Sequence, residues 1–324
     1  MEAPTAVSPP PLRLGLHLGL LALTLVTTSF AGVILAGPGL GREELARAGV
    51  GFAVALLGIL LAHEMGHYVF ARIHGVDTTL PFVIPVPPVL PGLGFISFGT
   101  LGAVIKMRSP IATRDALVDI GAAGPLVGAL VALPVLALGL HWSHYAPSPT
   151  AGVSFWLGHN SLFGMAREYW AARHGVAAPV AQTLALGDDL FMRLCERAVL
   201  GPRPAGQDAV VHPVAMAAWF GLLVTSLNLF PIGQLDGGHL TFALFGAARH
   251  QRLGRAVGVA LLVMAIFSSL SWAAWWLVAT RLVGYDHPPI REDRGGLDPL
   301  RIGICIASLA LFILTFIPVP MDQL

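Results

Sequence analysis

Charge is what this sequence has least of. Of its 324 residues, 19 are Lys or Arg and 18 are Asp or Glu, 11% in all, against roughly 25% in ordinary globular proteins. That scarcity excludes a multi-domain soluble protein of this length. The formal net charge is +1, and no basic run carries interleaved aromatics, so the electrostatic footprint of a nucleic-acid binder is missing. Cysteine is also nearly absent. Cys195 and Cys305 lie far apart and fit no metal or redox spacing, which excludes a disulfide framework and leaves both read as inert thiols. No internal repeat is visible.

In place of charge there is hydrocarbon: 55% of the residues are hydrophobic. A membrane-crossing helix needs about 20 mostly apolar residues. Six stretches answer to that, at about 14–36, 49–72, 114–140, 212–231, 256–280 and 300–318. The proline-rich residues 1–13 read as a disordered tail. The apolar run after them exceeds the usual signal-peptide core of about 7–15 residues, so it reads as a retained span. Residues 80–108 are apolar but rich in Pro and Gly, which forbids a regular helix. Their second half, "GFISFGTLGAVIKM", is strand-like, and the segment reads as a hairpin dipping into the membrane face. Residues 141–211 recover charge and read as a soluble insert. The expected fold is therefore an all-α polytopic membrane protein of about six transmembrane helices. It carries a re-entrant hairpin, and residues 14–324 form a single membrane domain with its core at 48–250.

Against this background the stretch "HEMGH", 63–67, is conspicuous. Ionisable groups inside a span are costly and are retained for function. His63 and His67 stand one helical turn apart on one face, placed to bind one metal ion. Glu64 follows the first histidine and can reach water at that metal without being a ligand. This is the H-E-x-x-H pattern of zinc hydrolases. Catalytic zinc takes three protein ligands and keeps one place open, so a third ligand is due from another span. Asp236, in "NLFPIGQLDGGHL" (228–240), is the candidate. Pro231, Gly233, Gly237 and Gly238 break the helix around it, and irregular backbone at membrane depth lines cavities. The alternative for Asp236 is a helix cap, and His239 is the second choice as ligand. Asp115 and Asp119 read as interfacial partners of Lys106, Arg108 and Arg114, and His17 as a lone histidine bonded to a neighbouring element.

Two stretches, "HEMGH" at 63–67 and "NLFPIGQLDGG" at 228–238, resemble the motifs of the site-2 protease family of intramembrane zinc metalloproteases, in the family's order. "DIGAAGPLVG" at 119–128 resembles the family's small-residue third span. The resemblance covers about 48–245 and is closest to the branch without a PDZ domain. It implies one zinc per chain on His63, His67 and Asp236, with Glu64 as catalytic acid/base. Asn228 would steady the substrate carbonyl, although it could equally cap the helix break at Pro231. The implied substrate is a single-span membrane protein, in a bacterial inner membrane with the site toward the cytoplasm. A zinc transporter is the competing class. Transporters carry paired repeat halves, and this sequence shows no such symmetry.

Overall fold

The computed structural model describes residues 14–37, 39–90, 95–96, 98–147, 161–174, 184–290 and 296–323. The expected disordered tail lies outside them. Ten helices occur among the described residues: α1 Leu14–Leu35, α2 Arg42–Ile73, α3 Arg114–His141, α4 Leu162–Arg173, α5 Leu190–Val199, α6 Pro213–Asn228, α7 Asp236–Phe245, α8 Ala247–Phe267, α9 Ser271–Leu277 and α10 Pro299–Thr315. A π-helical turn, Val278–Val283, follows α9.

Four of these helices, α1, α2, α3 and α8, are long and apolar enough to cross a membrane, while α6 and α10 are shorter apolar helices. Three of them have a local reason for where they begin. At the start of α2 the Glu44 carboxylate accepts from the Gly41 N–H at 3.0 Å, satisfying one of the first-turn donors. Thr113 caps α3 by accepting from Ala116 N–H at 3.1 Å. Pro213 opens α6, where its missing N–H costs nothing.

The fifth expected span, 256–280, is displaced. The helix starts earlier, at Ala247, because the polar turn "AARHQRLGR" continues it outside the apolar window. It also stops earlier, at Phe267. There Ser268 Oγ and Trp272 Nε1 both donate to the Pro318 carbonyl at 2.6 Å, which turns the chain into α9.

The core is built on α2 and α3, joined by α6. Phe52, Leu56 and Ile59 of α2 interdigitate with Leu136 and Leu140 of α3 and with Trp219 and Leu222 of α6, all essentially inaccessible to solvent. The hairpin exists. Strand β1 (Phe82–Pro85) pairs antiparallel with β4 (Thr100–Val104), with a bulge between Val83 and Pro85, and a bridge between Thr78 and Met107 prolongs the ladder. Its tip holds the short pair β2 (Val89–Leu90) and β3 (Phe95–Ile96). Residues 91–94 and 97 lie outside the described residues, and of these 94 and 97 belong to the strand-like stretch singled out above. The hairpin leans on α1: Thr27 Oγ1 donates to the Gly99 carbonyl at 2.7 Å, and His17 stacks on Phe82 while its Nδ1 lies 3.1 Å from the Pro81 carbonyl. The insert contributes α4, α5 and the antiparallel pair of β5 (His144–Pro147) with β7 (Gln207–Val210). The remaining pair joins β6 (Leu184–Leu186) to β8 (Met321–Gln323).

Candidate metal centre

Three of the residues expected at the site converge. His63 and His67 project from the C-terminal half of α2, and Asp236 opens α7. His63 Nε2 and His67 Nε2 are 3.1 Å apart. The Asp236 carboxylate lies 3.2 Å from the first and 3.3 Å from the second. Ligand atoms about 2.0–2.1 Å from one tetrahedral ion sit about 3.3–3.4 Å from each other. The cluster therefore has nearly the edge lengths of one face of a zinc coordination shell. Among the described residues this is the one group of three or more His, Cys, Asp or Glu side chains able to share an ion.

The hydrogen atoms support the same reading. His67 Nδ1 lies 2.7 Å from the Ile120 carbonyl. A carbonyl can only accept, so Nδ1 carries the hydrogen and Nε2 presents its lone pair to the cluster. Asp236 Oδ2 is buried without a donor directed at it, although His63 Nε2 is nearby. A buried carboxylate that lacks a hydrogen-bond donor at one oxygen and meets the lone pair of His67 Nε2 at the other is short of positive charge, and a divalent cation fits that deficit.

Glycines make the approach possible. A Cβ on Gly124 would lie 2.0 Å from His67 Nε2, and one on Gly128 would lie 3.1 Å from His63 Nδ1. Helix α3 thus forms a smooth wall against which both imidazoles lie. In α7, a Cβ on Gly237 would come within 1.9 Å of the Leu229 carbonyl, and one on Gly238 within 2.3 Å of the Gly233 carbonyl. The Gly-Gly pair lets the first turn of α7 press into the irregular segment 229–235, which is what carries Asp236 to the histidines.

The other expected residues take distinct places. Glu64 is buried beside the histidines. Asn228 ends α6 with its amide Nδ2 3.5 Å from His63 Nε2. His239 is not in the cluster: its Nδ1 lies 2.7 Å from His287 Nε2. Asp115 and Asp119 meet Arg301 from the far end of the chain rather than their sequence neighbours alone. Cys195 and Cys305 are free. The Ile120 carbonyl, Gly124, Gly128 and His287 were not assigned from sequence. For the glycines a signal existed, since Gly121, Gly124 and Gly128 recur at helical spacing.

Comparison with known proteins agrees with this geometry. The model of Peptidase family M50 matches residues 51–271. "Probable zinc metalloprotease EGY1, chloroplastic" of Arabidopsis thaliana is 29% identical over 275 residues, covering 84% of this chain and 43% of that protein. "Probable zinc metalloprotease EGY2, chloroplastic" of the same plant is 26% identical over 277 residues, covering 86% and 43%. The rice "Probable zinc metalloprotease EGY3, chloroplastic" is 36% identical over 114 residues, covering 35% and 20%. The chain thus spans less than half the length of these relatives. No solved structure matches. The M50 match runs over more than half of the chain and takes in both the His63–His67 turn and Asp236, so the chain belongs to Peptidase family M50, the site-2 protease family.

Proposed function

We propose that the protein is an intramembrane zinc metalloprotease that hydrolyses a peptide bond within or beside a transmembrane segment of a membrane-anchored protein. The observation that carries this reading is the three-atom cluster of His63, His67 and Asp236 with Glu64 buried at its side. Those three residues would hold the zinc. Zinc held there supplies Lewis acidity, which polarises a carbonyl and acidifies water. Glu64 takes the proton of the attacking water and returns it to the leaving nitrogen, so that one carboxyl serves as base and then acid. The Asn228 amide is within reach of oxygen on the same face, and one such donor is worth about 3 kcal/mol at a developing oxyanion. Ile120 fixes His67 through Nδ1.

In this reading α6 and α10 also cross the membrane. At 16 and 17 residues they are a little short of the usual ~20, and apolar residues 229–231 and 316–318 extend them. With the N-terminus inside, the ends of α2 and α6 that flank the metal cluster face the cytoplasm. The cations gathered at that end support this: Arg72 and Arg108 both approach Asp77, and Arg114 donates to the Ala243 carbonyl at 3.0 Å. A bacterial inner membrane suits that arrangement. His250 is fully buried, so an exposed neighbour is the better reporter of orientation. Arg252→Cys should react with an impermeant thiol reagent only after cells are opened, and labelling of intact cells would reverse the topology.

The function is tested by co-expression with candidate single-span proteins. The intact enzyme should release a shortened product, and Glu64→Gln should not. Equal cleavage by both would end the protease reading.

A further inference from the structure

Asp119 has more partners than a boundary carboxylate needs. The Arg301 guanidinium grips it from two sides, Nε to Oδ1 at 3.1 Å and a terminal nitrogen to Oδ2 at 2.6 Å. His74 Nε2 donates to the same Oδ2 at 2.9 Å. The remaining Arg301 nitrogen meets Asp115 at 3.4 Å and the helix-capping Asp298. Three helices therefore meet on one side chain: His74 caps the end of α2, Asp119 stands in the second turn of α3, and Arg301 in the first turn of α10. The Asp119 and Arg301 side chains are only 11% and 20% exposed. Withdrawn ion pairs of this kind add little net stability, and their best-attested use is to fix register.

The position of the pair supplies the register it would fix. Asp119 precedes Ile120, whose carbonyl holds His67 Nδ1. His67 and His74 are seven residues apart on α2, two turns along one face and roughly 10 Å. Helix α3 is thus fastened to that face at two points, by the carbonyl of one residue and the carboxylate of the residue before it. Sliding or rolling of α3 against α2 would strain both fastenings together. Arg301, 182 positions further along the chain, supplies the outside grip on Asp119.

We infer that Arg301, Asp119 and His74 form a positioning latch, through which α10 holds α3 in register with α2 and so sets the orientation of His67 at the metal cluster. The inference rests on the metal-centre reading above. None of the three is a ligand or a catalytic residue; each acts through the Ile120–His67 contact.

The test uses the full chain in detergent, with Zn²⁺ in chelator-buffered titrations and Co²⁺ as a spectroscopic probe of ligand geometry. Asp119→Asn and Arg301→Gln should each weaken zinc about 10–100-fold, as loss of outer support for a ligand does. Both should shift or broaden the visible cobalt bands. The double variant should be little worse than either single one, because the two residues act as a unit. Arg301→Lys, which keeps the charge but not the fork, should recover part of the loss. Asp77→Asn, at an exposed ion pair on the same end of the molecule, should bind like the unaltered protein. Unaltered zinc affinity and cobalt spectra in Asp119→Asn and Arg301→Gln would overturn the latch, as would a loss of thermal stability alone. If Asp119→Asn does not accumulate as folded protein, Arg301→Lys and His74→Gln decide by the same readouts. Wild-type zinc affinity in His67→Ala would instead defeat the metal-centre reading itself.

Discussion

Two of the polar clusters among the described residues are solved in opposite ways. In the insert, Arg203 is surrounded by acceptors: Glu196 at 2.8 and 2.9 Å, Asp188 at 3.0 Å and Asp208 at 2.9 Å. Tyr145 adds its hydroxyl to Glu196 at 2.9 Å, and burial beside that carboxylate pushes the phenol up to about 12. In this cluster the protein supplies donor and acceptor alike. At the metal centre, two imidazoles and a carboxylate converge with no Lys or Arg among them. Burial is similar in both, with Glu196 at 3% and His63 at 3% exposure, so burial does not separate structure from function here. Closure does. A cluster whose valences are filled from within is scaffold, and one left short of charge awaits a ligand.

The sharpest way to break that contrast is to remove members of the open cluster. His67→Ala and Asp236→Ala should lose bound zinc altogether by elemental analysis. Glu64→Gln should keep it and lose cleavage by about 10²–10⁴-fold. His239→Ala should also keep it, since His239 is engaged by His287. Retention of zinc by Asp236→Ala would move the third ligand elsewhere.

Filling the space beside the cluster should come next in size. Gly124→Ala sets a methyl group 2.0 Å from His67 Nε2. Zinc affinity should fall about 100-fold, as for other losses of ligand support. Gly58→Ala, on the same histidine-bearing helix but in open space, should leave zinc binding unchanged and test whether the effect is local.

The closed cluster should respond only in stability. Arg203→Gln leaves Glu196 buried without its cation. Because Arg203 is about one-third exposed, the cost is discounted to about 1–3 kcal/mol. Zinc content should be unchanged, and a fall in it would show that the two clusters are coupled.

The smallest effect concerns Asp189, which caps α5 through the Met192 N–H and is otherwise buried with Oδ2 unpartnered. Burial pushes its carboxyl up to about 7. The folded state then holds a proton that the unfolded chain has already lost above its ordinary value near 3.8. Its contribution to stability is full below that value and disappears as pH rises through about 7. The thermal midpoint should drop by a few °C or less between pH 5 and pH 8, and Asp189→Asn should flatten that part of the profile.

The sequence made the site more legible than the fold. His63, Glu64 and His67 announce themselves because ionisable residues are improbable in a hydrocarbon run and fall at one-turn spacing. Asp236 was recoverable because prolines and glycines mark the broken backbone around it. Boundaries were harder. The fifth span was misplaced because an apolar window does not register the arginine-bearing first turns of α8 or the Ser268–Pro318 contact that ends it. Asp119 was paired with its neighbours in sequence, since nothing local points to Arg301. The carbonyl of Ile120 left no trace, because a backbone acceptor has no letter of its own.

That carbonyl has a consequence for electroneutrality. Many metal-bound histidines are steadied by a carboxylate, which adds a negative charge to the assembly. Here His67 is steadied by a group with none. With both imidazoles neutral, an ionised Asp236 and an ionised Glu64 would together balance one divalent ion, and a filled centre of that make-up would carry no net charge. An acidic partner in place of the carbonyl would add a third negative and leave that sum one short of balance.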